Sequence, residues 1–259
     1  MNGAEDSQPR GTAVLSAIMQ RGINFAAVLI GAANAVTAPI KVEHDSKVLE
    51  FSYVWSAEAA AVPAIDKRFR AETAKAYKDA LANAREDHKL ARQQKRDFHG
   101  HYYSVQWTTA GETSRLLSLQ SEFGSFEGGA HPNTSYEALL WDRKLGKQIG
   151  MGALLTGRGN FAALTRTAYC KALDAERAKR REREKLGGEF DECPKFTDLA
   201  ITPIDKNKDG RFDAIDFVAS PYVAGPYVEG EYELELPVTS RLISALKPEY
   251  RSSFEAQRQ

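Results

Sequence analysis

The chain has 259 residues, with 35 Lys+Arg against 35 Asp+Glu and 42% hydrophobic residues. That length allows one large domain or two small ones, and that apolar content supplies an ordinary globular core. The balanced charge excludes a broad electrostatic pull on nucleic acid or on anionic lipid.

The N-terminus reads as an export signal. Arg21 precedes a short apolar core, residues 23–33, and Ala33 and Ala35 then place small side chains at the −3 and −1 positions of a cleavage site. Val36-Thr37-Ala38 offers a second site. The apolar core is too short for a comfortable membrane span. Residues 1–38 are therefore expected to be a leader. The mature chain is expected to begin near Val36 or Pro39, to be periplasmic or secreted, and to keep no stable membrane span after cleavage. Export places Cys170 and Cys193 in an oxidising compartment, where this single pair is expected to form one disulfide. The bond would tie the charged segment 174–190 back onto the fold. No CxxC or CxxH spacing supports zinc or redox chemistry.

Residues 46–55 mix β-branched and aromatic side chains with polar ones and predict a strand. Pro63 then suits a first helical turn. Ile65, Phe69, Thr73, Ala76, Ala80 and Ala84 recur at helical spacing, which predicts a long amphipathic helix to about Gln93. Strands are predicted at 101–109 and 114–123, with residues 110–112 as their turn, and at 135–142, ended by the turn 144–147. Asn160 is placed to cap a second long helix carrying Phe161, Leu164, Ala168, Ala172 and Leu173. That helix runs into the basic stretch 177–185, where Glu182 and Glu184 break the charge run, so it reads as a solvated face and not as a nucleic-acid patch. Strands follow at 198–204, 212–219 and 232–236. Thr239 caps a last short helix that Pro248 stops. Two rounds of helix plus strands predict an α+β fold, two long amphipathic helices packed on antiparallel sheet. Its halves are residues 39–145 and 146–259.

Residues 205–216 carry the sharpest local motif. They fit the calcium-loop pattern D-x-N-x-D-G-x-φ-D-x-x-D, with oxygen ligands from Asp205, Asn207, Asp209, the carbonyl of Arg211, Asp213 and Asp216. The twelfth position is Asp, with a shorter reach than Glu, and the flanks read as strands, so a metal-free hairpin turn built from the same residues stands beside a structural calcium site. His99, His101 and His131 form at most a three-nitrogen zinc set, with exposed strand-edge histidines as the plainer alternative. No nucleophile elbow is present, and nothing pairs either cysteine with a histidine. Tyr102, Tyr103, Trp107, Phe123, Phe126, Tyr136 and Trp141 gather on the central strands. Their buried members belong to a half-buried sheet, and any exposed ones suit sugar stacking or a protein partner.

Residues 128–133, GGAHPN, sit between two alternating runs. Together with the strand-turn 136–149 and the later 219–227 stretch (ASPYVAGPY), they resemble the PdaC/RsiV-like family of extracytoplasmic α+β domains. The resemblance spans roughly residues 42–248. It implies an exported, non-catalytic cell-envelope binding module and no enzyme. The family's sensor-type members bind lysozyme, which makes a lysozyme-like envelope protein one expected partner. A peptidoglycan or glycan ligand is the other, as for the domain attached to polysaccharide deacetylases; a hydrolase has no residue pattern behind it. The candidate binding residues are Gly128, Gly129, His131, Asn133 and Tyr136, with a plain strand-connecting turn as the alternative at that loop. No cofactor is expected beyond the calcium ion the 205–216 loop would hold.

Overall fold

The computed structural model describes residues 38–157 and 160–257. The expected leader, up to residue 37, lies outside the described residues. Strands β1 (Ile40–Asp45) and β2 (Leu49–Trp55) form a hairpin where a single strand was expected. Ser46 makes the break, its hydroxyl accepting the backbone N–H groups of Val48 and Leu49. β2 alternates strictly, with Leu49, Phe51, Tyr53 and Trp55 all buried. After the one-turn helix α1 (Ala57–Ala60), Pro63 opens α2 (Pro63–Gln94). Lys95 ends it in the left-handed conformation, with its backbone N–H bonded to carbonyls of the last turn. Ile65, Phe69, Thr73, Ala80 and Ala84 bury one face of this helix on the sheet, as the 3.6-residue period demands.

The chain returns as β3 (His101–Glu112), hairpinned to β4 (Leu116–Phe126), then β5 (Asn133–Asp142) and β6 (Lys147–Ile149). The six strands lie in sequence order in one sheet. Its β2–β3 pair is parallel because α2 carries the chain back across the sheet, so the sheet is mixed where only antiparallel pairing was expected. The β3–β4 turn falls at 113–115 and not at 110–112. Thr113 accepts the Arg115 and Leu116 N–H groups there, while Gly111 stays in β3 beside a bulge. A Cβ on Gly111 would lie 2.9 Å from the Asp205 Cβ, so only glycine lets the second half dock here.

Beyond β6, Asn160 caps α3 (Phe161–Arg180) as expected. Strands β7 (Ala200–Ile204), β8 (Ala214–Ala219) and β9 (Tyr232–Pro237) make a second, antiparallel sheet, and Thr239 caps α4 (Ser240–Ala245). Two cores result. Leu117, Leu119 and Leu139 face α2 on the front of the large sheet, while Leu116 and Leu140 face α3 and β8 on its back. Most of the basic stretch is exposed, but two of its arginines are not: Arg177 is buried and the Arg181 side chain nearly so. Arg177 donates to the carbonyls of Ala224 and Glu192, and Arg181 pairs with Asp191 and Glu229. The disulfide joins Cys170 on α3 to Cys193, with 5.5 Å between their Cα atoms.

One buried carboxyl lies between the two sheets. Asp216 on β8 accepts from Gln120 on β4 at 2.8 Å, and its second oxygen, like the hydroxyls of Ser118 and the facing Thr202, has no partner among the described residues. Burial pushes the Asp216 carboxyl up to about 6, Gln120 opposes this, and Glu233 and Glu235 add to it. A raised acid stabilises the fold while protonated and loses that contribution as pH rises through about 6. Asp216→Asn is therefore expected to add about 2 kcal/mol at pH 8 and almost nothing at pH 4, measured by urea unfolding at both values. Equal gains at both pH values would mean that the carboxyl does not titrate in this range.

Candidate binding groove and the histidine–tyrosine face

The front of the large sheet is only partly covered by α2. The helix presents Ala76 and Ala80 toward the strands, and these short side chains leave a cavity of about 520 Å³ between helix and sheet. β3 contributes Tyr103, Val105 and Trp107 to the floor, β4 contributes Ser121 and Phe123, and β5 contributes Ser135 and Glu137. All lie on one face because successive strand residues alternate. The aromatic rings brace one another. Trp107 stacks on Phe69 at 4.9 Å, Tyr103 stacks on Phe51 at 5.2 Å, and Phe123 meets Tyr103 edge-on at 5.1 Å. Tyr103 and Phe123 stay partly exposed on the cavity lining, which leaves aromatic surface for a ligand to meet.

The helix wall is charged. Arg68 donates to Glu72 at 2.7 Å and to Gln148 at 2.9 Å, Tyr53 donates to the other Glu72 oxygen at 3.1 Å, and Lys75 pairs with Asp79 at 2.8 Å. Burial, then the nearby Glu72 carboxylate, pushes the Tyr103 phenol up. Both Tyr53 and Tyr103 therefore keep neutral phenols at ordinary pH.

The GGAHPN loop lies at the far end of β4. Gly128 takes φ +84°, which favours glycine. His131 is fixed from three sides. Its Nδ1 lies 2.8 Å from the Pro132 carbonyl and is the donor there; its Nε2 is then the acceptor for the Tyr222 hydroxyl at 3.2 Å; its ring stacks on Tyr227 at 3.7 Å. The structure thus brings together the two motifs of residues 128–133 and 219–227. Tyr222 holds φ +72° and is 55% exposed, and Val228, next to Tyr227 in the chain, is 89% exposed. A tyrosine in the left-handed region carries backbone strain of about 1 kcal/mol or more. The Tyr136 backbone N–H donates to Ser220, and burial followed by Glu122, Glu231 and Glu233 pushes its phenol up to about 12. Asn133 and Gly129 are exposed, and neither lines the groove.

The 205–216 residues are spread over separate bonds. Asp205 accepts the Asp209 and Gly210 N–H groups, Asp209 accepts that of Arg211, and Asn207 bonds Glu255. Asp213 accepts the Lys206 N–H, while Asp216 is turned inward to Gln120. Among the described residues no three His, Cys, Asp or Glu side chains form a group suited to a metal ion. Asp216, one of the six expected calcium ligands, is turned into the space between the sheets by the pairing of β8, which begins at Ala214. The histidines do not converge either: His101 is buried against Asp87, and His131 is bound to Tyr222.

Residues 42–134 match the family model described as Deacetylase PdaC. That stretch is similar to the PdaC family. It runs from β1 to the first residues of β5, so the matched stretch supplies the groove lining apart from Ser135 and Glu137. The fold matches a DUF3298 family protein from Pseudomonas aeruginosa PAO1 with a TM-score of 0.52 at 14% identity, covering 85% of this chain and 96% of that one. A DUF3298 family member from Bacteroides fragilis NCTC 9343 matches with a TM-score of 0.51 at 13% identity, covering 83% and 95%. These likenesses establish the fold. No curated protein matches the chain in sequence.

Sequence reasoning had the aromatics of the groove floor but missed Ser121, Glu137 and the helix wall. The alternation of Tyr103, Val105 and Trp107 beside the Ala76–Ala80–Ala84 stripe was the available signal. Nothing local to residue 131 announced Tyr222 and Tyr227 as its partners.

Proposed function

We propose that this chain is an exported, non-catalytic cell-envelope binding module that holds glycan in the groove of its PdaC domain. The observation that carries the reading is the row of Tyr103, Trp107 and Phe123 along a cavity of about 520 Å³, flanked by hydroxyl and carboxylate groups. Sugar rings present an apolar face and a polar rim, and this lining offers both in the same place. The Cys170–Cys193 bond supports a location outside the cytoplasm. Among the described residues no helix is long and apolar enough to cross a membrane.

A second reading, recognition of a lysozyme-like envelope protein, is supported by the exposed Tyr222 and Val228 beside the His131–Tyr227 stack. Aromatic side chains held rigid at a surface are the common anchors of protein interfaces. The test is calorimetric titration of the protein with soluble peptidoglycan fragments and, separately, with an animal-type lysozyme. Fragment binding that Phe123→Ala weakens about tenfold supports the groove, because one stacked ring is worth about 1 kcal/mol or more. Lysozyme binding lost in Tyr222→Ala and kept in Phe123→Ala would transfer the function to the histidine–tyrosine face.

A further inference from the structure

The groove is long and narrow. Its helix wall runs from Arg68 to Asn83, roughly 22 Å along the axis at 1.5 Å per residue. A cavity of about 520 Å³ spread over that length is a furrow for an extended chain of small units and not a socket for one side chain. Its basic groups are already neutralised, Arg68 by Glu72 and Lys75 by Asp79. Glu127 and Glu137 also line it, and neither has an ion-pair partner among the described residues. Glu137 lies directly across the β4–β5 ladder from Ser121. Ser121 is 4% exposed, and its hydroxyl makes no hydrogen bond among the described residues, yet it lines the furrow. A hydroxyl on the furrow floor beside a carboxylate without an ion-pair partner is placed to bind a polar group that enters the furrow.

We propose that the furrow selects an oligosaccharide carrying free, protonated amino groups, with Glu127 and Glu137 as partners of the ammonium groups, Ser121 bonding a sugar hydroxyl, and Tyr103 and Phe123 under the ring faces. The proposal rests on the glycan reading above and adds charge selection to it. Uncompensated carboxylates favour a cation over a neutral N-acetylated sugar, and the aromatic faces favour a ring over a flexible aliphatic amine. The lining carries Arg68 and Lys75 against Glu72, Asp79, Glu127 and Glu137, so its charge is net negative.

The experiment is calorimetric titration of the whole protein at pH 6 with a tetramer of β-1,4-linked glucosamine, its fully N-acetylated counterpart, and tetralysine. The glucosamine tetramer is expected to bind at least tenfold more tightly than either, and more weakly at high salt. Glu137→Gln and Glu127→Gln should each weaken it about five- to tenfold, the range of a charge-assisted contact at a groove rim, and leave binding of the acetylated tetramer unchanged. Both residues are exposed, so their variants should melt like the parent. Equal or tighter binding of the acetylated tetramer overturns charge selection and leaves the glycan reading standing. Equal binding of tetralysine overturns the saccharide and leaves only a cation site. Binding of none of the three removes both proposals.

Discussion

Asp142→Ala is expected to destabilise the protein by about 3–5 kcal/mol, the cost of leaving a buried partner charge uncompensated. The Asp142 side chain is 0% exposed and takes five bonds. Arg115 approaches through Nε and Nη2, Tyr250 donates at 2.8 Å, and the Lys144 and Leu145 backbone N–H groups cap the turn after β5. The Arg115 guanidinium also lies 4.7 Å over the Tyr250 ring. One carboxylate therefore closes the β5–β6 turn and ties the C-terminal segment to the large sheet. Burial pushes its carboxyl up, but the bonds from Arg115, Leu145 and Tyr250 outweigh burial and hold it below the usual carboxylate range. A depressed acid contributes stability above its unfolded pKa and loses it as pH falls through the folded value, so the gap between parent and variant should narrow in acid. Urea unfolding at pH 7 and pH 3 measures both effects. The double variant Arg115→Met, Asp142→Leu should recover much of the loss, since removing both charges leaves neither unpaired. A single variant as stable as the parent would mean that these bonds contribute nothing net.

Replacing Cys170 and Cys193 together by serine is expected to cost about 3 kcal/mol, the chain-entropy value for a closed loop of this length. The pair is separated by 23 residues. Within that loop lie the end of α3, the turn after it and the segment leading to Cys193. Other contacts brace the same segment: Arg166 donates to the Cys193 and Pro194 carbonyls and sits over the Phe196 ring, and Arg177 bonds the Glu192 carbonyl. The loop should therefore stay docked in the variant, with the loss appearing in the urea midpoint and not in the spectrum of the folded state. Treating the parent with reductant should reproduce the loss, and an unchanged midpoint in reductant would show that the bond contributes nothing to stability.

Much of the fold is legible in the sequence because its signals are local. Pro63 opens α2, Asn160 and Thr239 cap α3 and α4, and the apolar row from Ile65 to Ala84 marks the buried helix face. Strand order is not local. The alternation within β2 and β3 is the same whether they pair parallel or antiparallel, and only the crossover through α2 decides it. Arg177 and Arg181 were legible in retrospect. They extend the i, i+4 row of Phe161, Thr165, Tyr169 and Leu173, so the helix carries them toward the interior whatever their charge. Composition read them as solvated because it counts charges without asking which face they occupy. The 205–216 loop shows the opposite limit. Asp, Asn and Gly suit both a calcium shell and a tight turn, and the sequence does not show that Asp216 faces Gln120.

β4 is a party wall. Leu117 and Leu119 furnish one room, Leu116 and Gln120 the other, and no linker separates the residues that serve each. Residues 42–134 cut out alone would lose most of β5 and bare the rear of their own sheet to water. In this chain the groove and the second half are therefore a single inheritance: the domain can change its companion only by finding another that plasters the same wall, and binding and stability must vary together through that strand.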